Sequence, residues 1–187
     1  MKAMLRTMAY CVQTPNRGLL LKPTTPWNDT DDELIVTGMS DADYAKDPTT
    51  RRSVSGYSTF LNGAPVTMKS GQQTTVTLST AEAELMSATQ CAQDMLYVMK
   101  LLESLGLKVR KPMVLKIDNK GAVDLANNWS IGGRTRHIEV RQHWLRDLKE
   151  EGIILTEWTS GADMASDLFT KNLDGRTFEK HIRTYTG

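Results

Sequence analysis

The run ELIVTGMSDADYAKDPTTRRSVSGYSTFLNGAPVTM, residues 33–68, decides the fold. Leu34 to Val36, continuing through Met39, reads as an apolar strand that delivers Asp41, and residues 56–61 read as a second strand turning at Asn62-Gly63. Asn-Gly between apolar runs is a strong hairpin signal, because both residues tolerate the left-handed backbone of a two-residue turn. Residues 65–68 then return as a third strand, so the run predicts three strands joined in succession.

Downstream, residues 74–78 read as strand-like or extended, and Ser79 with Glu82 forms an S-x-x-E capping box that opens a long helix. Ala81, Leu85, Ala88, Ala92, Met95, Met99 and Leu102 recur at three- and four-residue steps along it, and Gly106 supplies the stop. Residues 113–117 predict a fourth strand, 121–127 a short helix, 138–150 a helix with Val140, Trp144 and Leu148 on one side, and 153–158 a fifth strand. A last core helix is expected over 162–171 and a further short one within 176–185. Upstream, residues 3–12 have helical spacing, Thr14 to Gly18 turns around Pro15, and Leu19 to Leu21 reads as a short strand. The Pro, Thr, Asn and Asp of residues 22–32 read as a linker. The expected organisation is an N-terminal extension over 1–32, a main domain over 33–173 and a C-terminal tail over 174–187. The fold class is α/β: a mixed five-stranded sheet, three antiparallel strands then two parallel, flanked by helices.

The chain has 187 residues, enough for one domain with a full core. Lys and Arg number 23 against 22 Asp and Glu, a formal charge of +1, so any attraction to nucleic acid must be local. Cys11 and Cys91 show neither a CxxC spacing nor a disulfide-rich pattern, which argues against structural zinc and for a reducing setting. The apolar runs are too short for a bilayer span, and the N-terminus lacks a signal-peptide core. The expectation is a soluble intracellular protein, cytoplasmic, with no membrane partner.

Asp41 and Asp118 close strand-like runs, while Glu84 and Asp167 fall on predicted helices. In a mixed sheet, strand ends gather where the topology switches, and strands one and four would be neighbours there. Four carboxylates in one place repel unless hard cations stand between them, so the set predicts a Mg²⁺ site and metal-dependent phosphodiester hydrolysis. Their neighbours have simpler roles: Asp43 at the surface or behind the ligands, Glu82 in the capping box, and Asp163 with Ser160 as a cap.

The segments Met39-Ser40-Asp41-Ala42-Asp43-Tyr44, residues 79–86 (STAEAELM), Leu115-Lys116-Ile117-Asp118-Asn119 and residues 165–171 (ASDLFTK) resemble, in order and spacing, the ribonuclease H domain of copia-type LTR retrotransposon polyproteins. Residues 51–57 (RRSVSGY) and 134–141 (RTRHIEVR) add to the resemblance, which covers roughly residues 38–178. Residues 3–19 resemble the tail of the reverse transcriptase region preceding that domain, and no YxDD polymerase motif is present.

The resemblance implies a ribonuclease H-like fold, with Asp41, Glu84, Asp118 and Asp167 as catalytic residues holding two Mg²⁺ ions, Mn²⁺ being a substitute. It implies Asp41 as the bridging ligand, Asp118 and Asp167 on the nucleophile side and Glu84 on the other. The implied activity is endonucleolytic hydrolysis of the RNA strand of RNA:DNA hybrids during reverse transcription. The implied partners are that hybrid and the reverse transcriptase region of the same polyprotein, in the cytoplasm or in retroelement particles, the nucleus being a further setting. For substrate contacts, Asn119 and Lys120 follow a metal ligand directly, although Asn119 is equally a helix cap. Arg134 and Arg136 belong to a basic run that is either a solvated helix face or a phosphate contact. Many cellular ribonucleases H carry a mobile histidine before the last aspartate, whereas residues 159–164 here have none. The shortened N-terminal region also leaves a second reading, a catalytically silent ribonuclease H-like scaffold.

Overall fold

The computed structural model describes residues 2–25, 33–127 and 136–186. Helix α1 (Lys2–Gln13) precedes strands β1 (Val36–Asp43), β2 (Val54–Leu61) and β3 (Ala64–Gln72). After the long helix α2 (Thr80–Ser104) come β4 (Met113–Ile117), α3 (Lys120–Asn127), α4 (Arg136–Glu150) and β5 (Ile154–Trp158). Two 3₁₀ turns, Gly161–Asp163 and Ala165–Phe169, lead to α5 (Gly175–Ile182).

The strands form one sheet in the order β3-β2-β1-β4-β5. β1 pairs antiparallel with β2, and β2 with β3; β1, β4 and β5 run parallel. This is the expected mixed sheet with helices. Its hairpin turns at Asn62 (φ 48°) and Gly63 (φ 82°), both left-handed, and the Asn62 side chain accepts a 2.7 Å bond from the Ile35 amide.

Alternation along β1 sorts two cores. Gly38 faces α2: a Cβ there would lie 2.6 Å from Met95 Sδ and 2.7 Å from Cys91 Sγ. The main core is built on that face from Leu85, Ala88, Cys91, Ala92, Met95 and Met99 of α2 with Leu115 and Ile117 of β4. Met39 and Asp41 turn to the opposite face. There Met39, Phe60, Ala165, Leu168, Phe169 and Tyr185 form a smaller cluster, closed by a 2.9 Å hydroxyl bond between Ser58 and Tyr185.

Several expectations change. Leu19 to Leu21 is not a strand; it is exposed chain tied to the C-terminal tail by one bond from the Leu20 amide to the Tyr185 carbonyl at 2.8 Å. Residues 74–78 form a loop whose Thr77 hydroxyl, 2.9 Å from that of Ser53, anchors it without ladder pairing. Val140 is exposed, whereas Trp144 and Leu148 do pack on the core. The helix expected over 162–171 is instead the pair of 3₁₀ turns, broken at Met164 (ψ 90°). The chain leaves helical conformation at Met164, and Met164, Ala165, Ser166 and Asp167 are all buried. No described helix is long and apolar enough to cross a membrane.

Gly56 sets how closely the second of those turns approaches the sheet. A Cβ there would lie 2.6 Å from Thr170 Cγ2, 2.7 Å from Phe169 Cβ and 3.2 Å from the Phe169 carbonyl carbon. Gly56→Ala should therefore destabilise the fold by about 1–3 kcal/mol, the usual cost of overpacking, read as a lower urea midpoint at unchanged m-value.

Candidate active site

Each acidic residue reaches the site from a different element. Asp41 lies in β1, fully buried, two residues before the strand ends, so the strand runs past the residue expected to close it. Asp118 follows the last residue of β4, the parallel neighbour of β1, and Ser40 pairs with Ile117. The two aspartates are thus adjacent by register.

Glu84 is set by the start of α2. Ser79 Oγ accepts from the Glu82 amide at 3.1 Å, and the Glu82 carboxylate accepts from the Leu78 amide at 2.6 Å, so the cap closes one residue further back than in a standard capping box. That fixes Glu84 half a turn further along, where its Oε1 accepts from the Ala42 amide at 3.1 Å. Oε2 is buried and finds no hydrogen-bond donor among the described residues. Carboxylate oxygens of Asp41, Glu84 and Asp118 all lie within 4.8 Å of one another. Asp167, in the second 3₁₀ turn, is not in that triad; it is joined to it through Lys171, whose Nζ is 2.9 Å from both Asp41 Oδ1 and Asp167 Oδ1 and 3.9 Å from Asp118 Oδ2. The Thr170 hydroxyl donates to the other Asp41 oxygen.

The electrostatics are those of crowded acids. Burial, then the charges of Asp41 and Asp118, push the Glu84 carboxyl up to about 9. Burial and Asp41 likewise raise Asp167 to about 6, and the same two causes raise Asp118. Burial alone would lower Lys171, but its bonds and ion pairs with Asp41 and Asp167 outweigh that and hold it above the ordinary lysine range. An all-oxygen donor set, with one buried oxygen lacking any donor and protons favoured for want of positive charge, fits a hard divalent cation.

The neighbouring acids take structural places, one of them not the place expected. Asp43 pairs with Lys46, and Asp163 with Lys180 at 2.8 Å rather than acting as a cap; Ser160 Oγ alone accepts from the Ala162 amide, at 3.4 Å. Asn119 Oδ1 accepts from the Ala122 amide at 3.0 Å and so caps α3. Lys120 Nζ sits 4.6 Å from the centre of the Trp158 ring, whose Nε1 donates to the Asp118 carbonyl at 3.0 Å. Arg134 lies outside the described residues, as does the side chain of Arg136, the first residue of α4.

Thr170, Lys171 and Trp158 were not singled out by sequence reasoning. Lys171 had a usable signal, a lysine four residues after an aspartate; Trp158 ends an alternating strand and carries none.

Without metal, folded Glu84 and Asp167 retain protons that their unfolded counterparts release near 4.5 and 3.8. Folded pKa values above unfolded ones make the native state bind more protons, so stability should fall as pH rises from about 4 to about 9. Thermal unfolding across that range should show the decline, and Glu84→Gln should remove its upper part, raising the melting temperature most at alkaline pH.

No family model matches the chain. It is 34% identical over 145 residues to the Retrovirus-related Pol polyprotein from transposon TNT 1-94 of Nicotiana tabacum, an alignment covering 78% of this chain and 11% of that protein. It is 31% identical over 179 residues to the Retrovirus-related Pol polyprotein from transposon RE1 of Arabidopsis thaliana, covering 96% of this chain and 12% of that protein. The chain thus spans only about an eighth of these relatives. Among solved structures, the N-terminal RNase H domain of Rv2228c from Mycobacterium tuberculosis, fused to maltose binding protein, superposes with a TM-score of 0.54 at 12% identity, covering 81% of this chain and 99% of that one. LC11-RNase H1 in complex with an RNA/DNA hybrid gives 0.54 at 11% identity, covering 74% and 94%. The chain is therefore a homologue of one segment of the copia-type, retrovirus-related Pol polyproteins of plant transposons, and it has the fold of a ribonuclease H domain.

Proposed function

We propose that this chain is a metal-dependent endonuclease that hydrolyses the RNA strand of RNA:DNA hybrids during retrotransposon reverse transcription. The observation that carries the reading is the convergence of Asp41, Glu84 and Asp118 within 4.8 Å, with a buried Glu84 oxygen left without a donor. Asp41, Glu84, Asp118 and Asp167 would hold two Mg²⁺ ions, Asp41 shared between them, Asp118 and Asp167 on the side of the attacking water and Glu84 on the other. Bound there, the ions would lower the pKa of the attacking water and stabilise the leaving 3′ oxygen. The protein's part is to hold its oxygens in place. The Ala42 amide fixes Glu84, the Thr170 hydroxyl fixes Asp41, and the Trp158 indole fixes the backbone of Asp118.

Residues 33–173 would be the catalytic unit, 1–32 the tail of the polymerase region and 174–187 a terminal tail. The extension and the tail touch: Arg17 forms a two-pronged ion pair with Glu179 at 2.9 and 3.0 Å, and Tyr10 meets Phe178 edge-on. In this reading the partners are the hybrid and the reverse transcriptase region of the same polyprotein, within the cytoplasm or a retroelement particle. A silent scaffold is favoured by one observation, the salt bridges of Lys171 that already compensate Asp41 and Asp167.

With Mg²⁺, the protein should cut a labelled RNA:DNA hybrid in its RNA strand, and Asp41→Asn should lower the rate by on the order of a thousandfold. An intact hybrid, even with the polymerase region supplied, would leave the scaffold reading standing. In this reading Lys120, over the Trp158 ring beside Asp118, would contact a phosphate. Lys120→Ala should weaken hybrid binding across sequences and reduce the salt slope of log affinity by about one, measured by fluorescence anisotropy.

A further inference from the structure

The geometry points to Lys171 as a built-in cation that occupies the Asp41–Asp167 half of the carboxylate cluster and must be displaced before a second divalent ion binds. The inference rests on the metal-binding reading above. The cluster is asymmetric. In one half, both oxygens of Asp41 are engaged, one by Lys171 Nζ at 2.9 Å and the other by the Thr170 hydroxyl, and Lys171 also holds Asp167 at 2.9 Å. Asp118, on the Asp167 side, lies 3.9 Å from the same ammonium, whereas in the other half Glu84 Oε2 is buried without a donor.

An incoming ion therefore meets two different sites. Near Glu84 it meets a buried oxygen that has no hydrogen-bond donor. Near Asp41 and Asp167 it must expel an ammonium that already makes two charge-assisted hydrogen bonds. Expulsion is feasible because Lys171 is anchored beyond the turn and its side chain is one-third exposed, so its flexible stem has a route to solvent. Arginine could satisfy the same carboxylates, but a rigid planar fork would leave less readily.

The device has a use in a chain whose site is otherwise all negative. Lys171 holds the acids together while magnesium is scarce, then makes loading of the second ion the step that depends on magnesium concentration. It acts through the ligands, as a positioning residue.

Calorimetric titration of the whole chain with Mg²⁺, without nucleic acid, tests this directly. Wild type should bind one ion more tightly than the other, and Lys171→Met should tighten the weaker event by about tenfold or more, since removing a unit charge so close is worth at least that much even in a screened site. Lys171→Arg should keep the weak event weak. Equal second affinities in wild type and Lys171→Met overturn the inference. Should Lys171→Met fail to fold without metal, the wild-type ¹⁵N ammonium signal decides: it should be protected from exchange in metal-free protein and lost or shifted at the second binding event. A signal unchanged through saturation overturns the inference. Failure of the underlying reading looks different: wild type and Asp41→Asn would then both show no Mg²⁺ binding.

Discussion

The ammonium of Lys171 lies 2.9 Å from two buried carboxylates and 3.9 Å from a third, and the site depends on that arrangement. Two like charges about 4 Å apart repel by several kcal/mol at the effective dielectric of a protein interior. Asp41, Glu84 and Asp118 accept that proximity within 4.8 Å, with Asp167 joined through the lysine. The system answers in two ways: one positive charge is drawn into the group, and Glu84 and Asp167 hold their protons to higher pH than free carboxyls do. Even so, the buried Glu84 Oε2 finds no hydrogen-bond partner among the described residues, and a buried polar atom left unsatisfied costs about 1–3 kcal/mol. An unsatisfied carboxylate oxygen within a cluster of like charges has the signature of a site built for a ligand.

The fold distributes this stress over rigid elements. Asp41 and Asp118 come from parallel neighbours in the middle of the sheet, and Glu84 from a helix whose start is fixed by Ser79. Asp167, Thr170 and Lys171 come from one turn pressed on β2 where Gly56 has no side chain. That turn is tied on both sides of β2, by Thr170 and Lys171 to β1 and by Ser70 of β3 to the Phe169 carbonyl. Its own tight i→i+3 bonds, Asp167 to Met164 and Thr170 to Asp167, bury Met164, Ala165 and Ser166 on one side and aim the acid and the lysine at β1 on the other.

The sheet was legible because its signals are local: the Asn62-Gly63 turn, the Ser79 cap and the period of α2 all follow from short-range sterics and burial. Strand ends were less so, since pairing with β2 and not apolar character carries β1 on to Asp43. The helix expected over 162–171 rests on a plausible helical period, whereas the structure breaks the chain at Met164 into two 3₁₀ turns, with Asp167 and Thr170 each bonding three residues back. The four acids could be named from their motifs. Lys171 and Thr170 stood in plain view within one of those motifs, but their meaning depends on a partner some 130 residues away, and no spacing rule reports it. Trp158 is subtler still, since its bond goes to a backbone carbonyl that any sequence would supply.

Exposure rises across the cluster from Asp41 at 0% through Asp167 at 11% to Asp118 at 17%, measured on the side chains. Solvent, and any phosphate, thus reaches the acids from the Asp118 side. On that rim stand Lys120 and the half-exposed Trp158, held together as cation over ring. The chain's formal charge of +1 provides no long-range pull, so a polyanion has to be recognised at short range. A lysine parked on an indole loses less freedom on meeting a phosphate than one waving in solvent, because part of the ordering has already taken place. The same logic explains how two lysines near one acidic cluster differ in kind. Lys171 is drawn in by carboxylates and balances them, whereas Lys120 is kept off them by Trp158 and stays available to an anion arriving from outside.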